Sequence, residues 1–187
     1  MSKNAGLFSS SLGKKYLMAL TGLFLCSFLV VHLLGNIALF IDPVQFNEYT
    51  RFMSSNPLIR VMEIILVAGF LVHIIDAVML TRANKKAQPV KYAMNKNKSS
   101  WYSRNMGLTG SVILAFLILH LQSFWYEYKF GEVLMTIDSN GDEIKDMYTI
   151  VKTAFSEWWY SSIYVLAMIL LGTHLNHGFQ SAFQSVG

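Results

Sequence analysis

Four long apolar stretches dominate this sequence and restrict what it can fold into. Each is about long enough to cross roughly 30 Å of hydrocarbon as an α-helix, and none contains proline. Backbone groups inside a bilayer must be hydrogen-bonded internally, and the alternation of a barrel strand is absent, so we predict helices. The chain is therefore expected to be an all-α integral membrane helix bundle. It would form a single transmembrane domain over residues 1–187, with spans near 16–40, 58–81, 105–126 and 159–183.

The composition excludes several other classes of protein. Hydrophobic residues make up 53% of the chain and charged residues only 14%, which is too apolar for an ordinary soluble domain. The single cysteine, Cys26, lies within the first span, so an intrachain disulfide or a cysteine metal cluster is excluded. The first apolar run is too long for a cleavable signal and lacks a small-residue cleavage site. We therefore expect it to remain as a membrane span.

The charges of the connecting segments predict the orientation. Lys3, Lys14 and Lys15 precede the first span, and residues 82–104 carry only basic charges, whereas residues 127–157 carry mainly acidic ones. The positive-inside rule places the basic segments in the cytoplasm. We predict a multi-pass protein whose N-terminus is cytoplasmic. The positive net charge then reflects topology, and no nucleic-acid site is predicted.

Two outer segments carry local structure signals. Asp42 and Pro43 predict the cap and first position of a short interfacial helix. The run from Asp138 to Asp142 contains Asn140 and Gly141, which predicts a turn. This turn belongs either to a hairpin or to a flexible excursion.

Each of the four apolar stretches contains one of the histidines His32, His73, His120 and His174. A histidine inside a bilayer is costly, so a functional role is the default expectation. Counting along each span places His32 and His120 nearer the outer face and the other two nearer the inner face. The two levels differ by roughly 10–15 Å. Depth therefore pairs His32 with His120 and His73 with His174.

Each predicted pair suits the iron of a haem. Neutral imidazole is a good axial ligand, and two of them leave no open position for oxygen chemistry. Residues 20–32 and 108–120 also share the pattern L-T-G, nine residues, then histidine. Gly22 and Gly110 would lie about 15 Å from their histidines, at the inner level. We expect them to make room for the inner haem, with simple helix packing as the alternative.

Three further polar residues within the spans are candidates for a role. His177 lies one turn beyond the fourth-span histidine and is the alternative ligand, a partner for a haem propionate or part of a quinone pocket. Asp76 follows the second-span histidine in the same way and is expected to pair with His177 or Arg82. Glu63 is a candidate for passing protons to a quinone, and pairing with Arg60 is the simpler alternative.

These residues resemble the di-haem cytochrome b membrane-anchor subunit of succinate dehydrogenase/fumarate reductase, in the form with one anchor polypeptide. The resemblance implies that His32 and His120 hold the distal haem b and that His73 and His174 hold the proximal one, with His177 not a ligand. Members usually have five spans, whereas this chain shows four, which suffice for both haems. The segments that carry the resemblance are LVVHLLGN (29–36), PLIRVMEIILVAGFLVHIIDAV (57–78), RNMGLTGSVILAFLILHLQSFW (104–125) and GTHLNHGFQSAFQSVG (172–187).

The resemblance also implies a respiratory complex in a bacterial cytoplasmic (inner) membrane. Its partners would be a flavoprotein subunit with FAD, an iron–sulfur subunit, membrane lipid and a quinone, with menaquinone the one expected. The chain itself has no Rossmann fingerprint and no iron–sulfur cysteines, so succinate chemistry would belong to the flavoprotein. This subunit would pass electrons between the iron–sulfur subunit and quinone, and its basic inner loop would dock the soluble partners.

Two other functions stay open at this stage. One is the di-haem anchor of a hydrogenase or formate dehydrogenase, whose catalytic partner would dock on the acidic outer loops. The other is a haem-free transporter or proton channel that uses the histidines, Asp76 and Glu63 as a relay. The spans lack the proline breaks expected near a transporter's substrate site. A reduced-minus-oxidised visible spectrum separates the haem-containing from the haem-free alternatives.

Overall fold

A computed structural model describes residues 11–87 and 101–186 of the chain. Lys3 and most of the basic 82–104 segment lie outside the described residues. A 3-10 turn covers Ala38–Phe40, and a π-helical segment covers Leu121–Tyr126. The elements in chain order are α1 (Ser11–Ile37), α2 (Pro43–Ser55), α3 (Pro57–Ala87), α4 (Trp101–His120), α5 (Glu127–Phe130), β1 (Met135–Ile137), β2 (Glu143–Lys145), α6 (Met147–Ser156) and α7 (Trp158–Val186).

Four helical segments are long and apolar enough to cross a membrane, which confirms the predicted helical spans. They identify the chain as a multi-pass membrane protein by length and composition. All four extend past at least one predicted boundary, because helical hydrogen bonding continues into the polar ends. At the end of α3, for example, Lys85 and Lys86 lie in the last turn, where a positive charge complements the helix dipole. The observed segments are Leu12–Phe40, Pro57–Lys86, Asn105–Phe130 and Trp158–Ser185.

The described chain forms two compact units, and each of the four long helices contributes residues to both. The first unit comprises residues 1–27, 65–111 and 171–187, and the second comprises 28–64 and 112–170. In the second unit α2 and α6 pack with the π-helical segment around a small core. The buried members of that core are Phe46, Phe124, Met147 and Tyr160.

The short helix predicted at Pro43 is confirmed as α2. The Asp42 side chain accepts a hydrogen bond from the backbone N–H of Gln45 at 2.8 Å. Proline stands at the start of the helix, where its missing N–H costs nothing. Asn47 of α2 is buried and donates to Asp146, the capping residue of α6, at 3.0 Å. The two short helices of the second unit are therefore joined through a cap.

The turn predicted at 138–142 belongs to a β-hairpin. Strands β1 and β2 are antiparallel, and Ile137 faces Glu143 at the turn. Gly141 has a φ of 88°, a conformation that favours glycine. The Asp138 carboxylate accepts from the backbone N–H groups of Asn140 and Asp142 at 2.8 and 2.9 Å. Its other oxygen pairs with Arg51 of α2 at 2.8 Å, which attaches the hairpin to that helix.

We expect the hairpin to loosen in acid. The N–H of Asp142, helped by that of Asn140 and by Arg51, holds the pKa of Asp138 below its ordinary value. A lowered pKa contributes stability above the ordinary value, and this is lost as pH falls through the folded pKa. Hydrogen exchange of the hairpin amides, corrected for intrinsic rates, should therefore accelerate below about pH 4. Asp138→Asn should remove that pH dependence, and an unchanged profile in the variant would contradict the assignment.

Candidate functional site

His73 of α3 lies against a threonine and a glycine of α1 in the first unit. Its Nδ1 is 3.0 Å from the Thr21 hydroxyl oxygen. A Cβ added to Gly22 would stand 3.5 Å from His73 Cε1 and 4.0 Å from Nδ1. The hydroxyl thus engages one ring nitrogen, and the glycine lies next to the imidazole. We call this arrangement a Thr-Gly contact.

The same contact occurs between α4 and α7. The Thr109 hydroxyl oxygen is 3.4 Å from His174 Nδ1, and a Cβ on Gly110 would stand 3.5 Å from His174 Cε1. The repeated L-T-G pattern therefore has a repeated structural role. In each copy it contacts the histidine of another long helix of the first unit.

Sequence reasoning assigned Gly22 and Gly110 to clearance for a macrocycle and gave no role to the adjacent threonines. The structure adds a second reason for the glycines, since both lie beside an imidazole. The signal for the threonines was present, because the duplicated pattern keeps the threonine together with the glycine. Clearance for a haem by these glycines stays a prediction.

The first unit contains three histidines, His73, His174 and His177. His174 lies within electrostatic range of both His73 and His177. His174 is the one that makes a Thr-Gly contact, whereas no such contact involves His177 among the described residues. His174 therefore shares with His73 a local contact that His177 lacks, and the choice of His174 as the ligand stays a prediction.

His32 and His120 meet in the second unit. Their ring centroids are 5.6 Å apart, and the ring planes are nearly perpendicular at 87°. His120 Nδ1 is 3.0 Å from the Tyr164 hydroxyl, which is in turn 3.1 Å from the Tyr160 hydroxyl. Sequence reasoning missed this tyrosine pair, which is separated from His120 by a whole loop and two short strands.

A departure from regular helix follows His120 directly. The six residues Leu121–Tyr126 are π-helical, a rare conformation that occurs often at functional sites. His120 also lies between Phe116 and Phe124, with ring centroids at 6.0 and 5.4 Å. The imidazole is thus surrounded by aromatic rings and held at one nitrogen by a tyrosine.

Asp76 is a buried acid whose expected partners are missing. Its residue surface is only 4% exposed, and its Oδ2 has no hydrogen-bond partner. Within residues 11–87 and 101–186, no ion pair joins it to Arg82 or His177; Lys14 lies within electrostatic range. An unpaired buried carboxylate is costly. Asp76 Oδ2 is therefore a buried polar atom without a hydrogen-bond partner among the described residues.

Glu63 has charged partners on both of its oxygens. Arg60 donates to Oε2 at 2.9 Å, which is the simpler alternative considered above. Trp125 donates to Oε1 at 2.6 Å, and Lys129 lies 2.5 Å from the same oxygen. These contacts tie the start of α3 to the π-helical segment and to α5. They favour an ionised, structural Glu63, and its role in proton transfer to a quinone stays a prediction.

Each histidine pair supplies two imidazoles, the number of protein ligands that a haem iron would need. No group of three or more histidine, cysteine or acidic side chains gathers around a common point in the described ranges. A zinc site needs three or four protein ligands, whereas a haem iron needs only two axial ligands from the protein. In His73, His174 and His120, Nδ1 is engaged by a hydroxyl, so Nε2 is the ring nitrogen that would have to bind a metal.

Comparison with known proteins gives no match to this chain among family models, curated proteins or solved structures. The likeness to di-haem anchors consequently depends on the histidine-bearing segments themselves. In the structure these segments form two histidine pairs, one in each compact unit.

Proposed function

We propose that the chain is the cytochrome b membrane anchor of a succinate:quinone oxidoreductase. The observation that supports this most is the pairing of four membrane histidines, His32 with His120 and His73 with His174. Each pair comes from two different long helices, so each could clamp one haem b between helices. The repeated Thr-Gly contact adds support, because it positions both proposed ligands of one haem, His73 and His174, in the same way.

The protein's contribution to electron transfer follows from these side chains. A bound haem would supply reversible one-electron chemistry at its iron. Two imidazoles from this chain would hold each haem iron, which would exclude oxygen and confine the site to passing electrons. The hydroxyls of Thr21, Thr109 and Tyr164 hold the imidazoles in place. Such support from outside the ligand shell fixes ring orientation and ligand strength.

The proposed partners are an FAD flavoprotein, an iron–sulfur subunit and a membrane quinone. The chain would lie in a bacterial cytoplasmic membrane with its N-terminus inside. Lys15, Lys85 and Lys86 are exposed and would face the cytoplasm with the rest of the basic segment, where the iron–sulfur subunit would dock. A hydrogenase or formate dehydrogenase anchor would instead bind its catalytic partner outside. Purification of the native complex and identification of the bound subunits distinguish these alternatives.

The first expected result is two low-spin haems per chain. Purified protein should show reduced-minus-oxidised haem b bands, and a pyridine haemochrome assay should give a ratio near two. The reason is that two separate histidine pairs can each saturate one iron. A ratio near one would contradict the double pairing. Absence of haem bands would exclude the proposed function.

Asp76 supports a second candidate, a haem-free proton-conducting protein. Its buried, unpartnered carboxyl oxygen is the kind of intramembrane group that relays protons. The histidines would then be further relay members. The same visible spectrum decides between the candidates, because a haem-free proton relay would show no haem b bands. For such a relay, Asp76→Asn should abolish proton flux into liposomes.

A further inference from the structure

We propose that Thr21 and Thr109 are positioning residues that hold the imidazoles of His73 and His174 in the Nδ1–H form. They would thereby set the electron-donating strength of both axial ligands of one haem. The inference rests on the proposed function, because it concerns the ligands of that haem. It concerns only hydroxyl groups of this chain and the ring nitrogens that they contact.

The direction of the hydrogen bond at Thr21 follows from counting protons. The hydroxyl oxygen is 2.8 Å from the backbone carbonyl oxygen of Leu17 and 3.2 Å from that of Met18. A carbonyl only accepts, and a hydroxyl has a single proton to donate. With that proton directed at Leu17, the hydroxyl must accept from His73 Nδ1, 3.0 Å away.

A histidine that donates from Nδ1 has one nitrogen left for a metal. A neutral imidazole carries a single proton, so an Nδ1–H ring presents a bare lone pair at Nε2. The other tautomer would place a proton where the iron has to bind. Thr21 therefore selects the form of His73 that can ligate iron through Nε2, before any haem is present.

Thr109 repeats this arrangement with longer distances. Its hydroxyl lies 3.2 Å from the Asn105 carbonyl oxygen, 3.1 Å from that of Met106 and 3.4 Å from His174 Nδ1. A hydrogen bond of 3.4 Å is weaker than one of 3.0 Å. Thr109 is 5% exposed, and the low dielectric of a buried site strengthens its hydrogen bond to His174. We therefore expect both threonines to act, with the larger effect at Thr21.

The same logic does not assign the proton at His120. Its partner, Tyr164, lies next to a second hydroxyl on Tyr160, and either tyrosine can be the donor. The ordered carbonyl–hydroxyl–imidazole chain is thus a property of the His73 and His174 pair. Its removal should affect the haem of that pair and leave the other haem unchanged.

Loss of the threonine hydroxyl that accepts from Nδ1–H should raise the midpoint potential of the haem that His73 and His174 would hold. A hydrogen bond from Nδ1–H to an acceptor makes the imidazole more basic, and a more basic ligand stabilises ferric over ferrous iron. Valine replaces the hydroxyl with a methyl group of similar size. Thr21→Val should raise the potential most, Thr109→Val less, and the double variant more than either alone.

The experiment is a redox titration of the purified native complex, followed at the haem b bands of each haem. The rescue variants are Thr21→Ser and Thr109→Ser, which keep the hydroxyl and should restore the wild-type potential. Ser27→Ala and Ser111→Ala are matched controls. Each removes a hydroxyl that only bonds a carbonyl of its own helix, at 2.7 and 2.8 Å, and both haems should titrate as in wild type.

Several outcomes would overturn the inference. The inference fails if Thr21→Val retains two haems and both keep their wild-type midpoint potentials. It also fails if the midpoint potentials of both haems shift equally. If Thr21→Val loses a haem, the Thr21→Ser variant decides the outcome. A restored haem with its wild-type midpoint potential supports the role of the hydroxyl. Continued loss of the haem refutes that role. Wild-type protein without two haems would instead refute the proposed function, and the inference with it.

Discussion

His174→Ala is expected to lose one haem and keep the other, whereas His177→Ala should keep both. His174 lies within electrostatic range of His73, its ring is engaged by Thr109, and Gly110 lies next to it. If the proposed haem is bound, removal of one of its two histidine ligands would leave it weakly bound or high-spin. The pyridine haemochrome ratio should fall from two to about one, because one of two bis-histidine sites is lost.

His177→Ala is the matched control, since it removes the same side chain from the same helix one turn away. Its spectrum and haem content should match wild type. If His177→Ala abolished a haem and His174→Ala did not, the ligand assignment on α7 would be wrong. A loss of both haems in His174→Ala would show that the two sites do not assemble independently.

Gly22→Leu and Gly110→Leu should each damage the haem that His73 and His174 are proposed to hold, although neither glycine would ligate iron. A Cβ at either position already stands 3.5 Å from an imidazole carbon. The rest of a leucine side chain has to occupy space taken by that ring or by the haem beside it. Overpacking of this kind typically costs about 1–3 kcal/mol. Redox-titrated spectra should show this haem lost or shifted and the other haem preserved.

Two control variants separate a local clash from a general defect in helix packing. Gly22→Ala should be tolerated, because a contact of 3.5 Å is ordinary van der Waals distance. Gly172→Leu adds the same bulk to α7, where a Cβ would meet nothing within 4 Å, and should leave both haems intact. If the haem that His73 and His174 would hold is unchanged in both Gly22→Leu and Gly110→Leu, the role of the glycines is refuted. The histidine assignment would still stand.

The four spans were predictable because the length and hydrophobicity that a helix needs to cross a membrane are set by consecutive residues. Apolar length and helical rise depend only on consecutive residues, and the four helices appear where the apolar stretches predict them. The cap at Asp42 and the turn at Gly141 were predictable for a similar reason, since both depend on a few neighbouring residues. Helix ends were less accurate, because polar residues such as Lys85 and Lys86 extend α3 beyond the apolar stretch.

Counting along the spans also indicated which histidines could meet, because depth along a helix is proportional to residue number. The binding of haem to them stays a prediction. Counting contains no information about rotation around a helix axis, so it could not show which neighbour each ring contacts. Thr21 and His73 are separated by 52 residues, and His120 and Tyr164 by 44. These hydrogen bonds exist only once the helices have packed.

For the polar residues within the spans, the sequence and the tertiary structure again supplied different information. The sequence alone determined that Glu63 and Asp76 lie in apolar surroundings, where a charge needs a partner. Only the tertiary structure decided that Glu63 meets Trp125 and Lys129, from a segment more than 60 residues away, and that Asp76 is buried with an unpartnered oxygen. The physical reason is that hydrophobicity and helical rise act along the chain, whereas hydrogen bonds and burial depend on which faces of different helices meet.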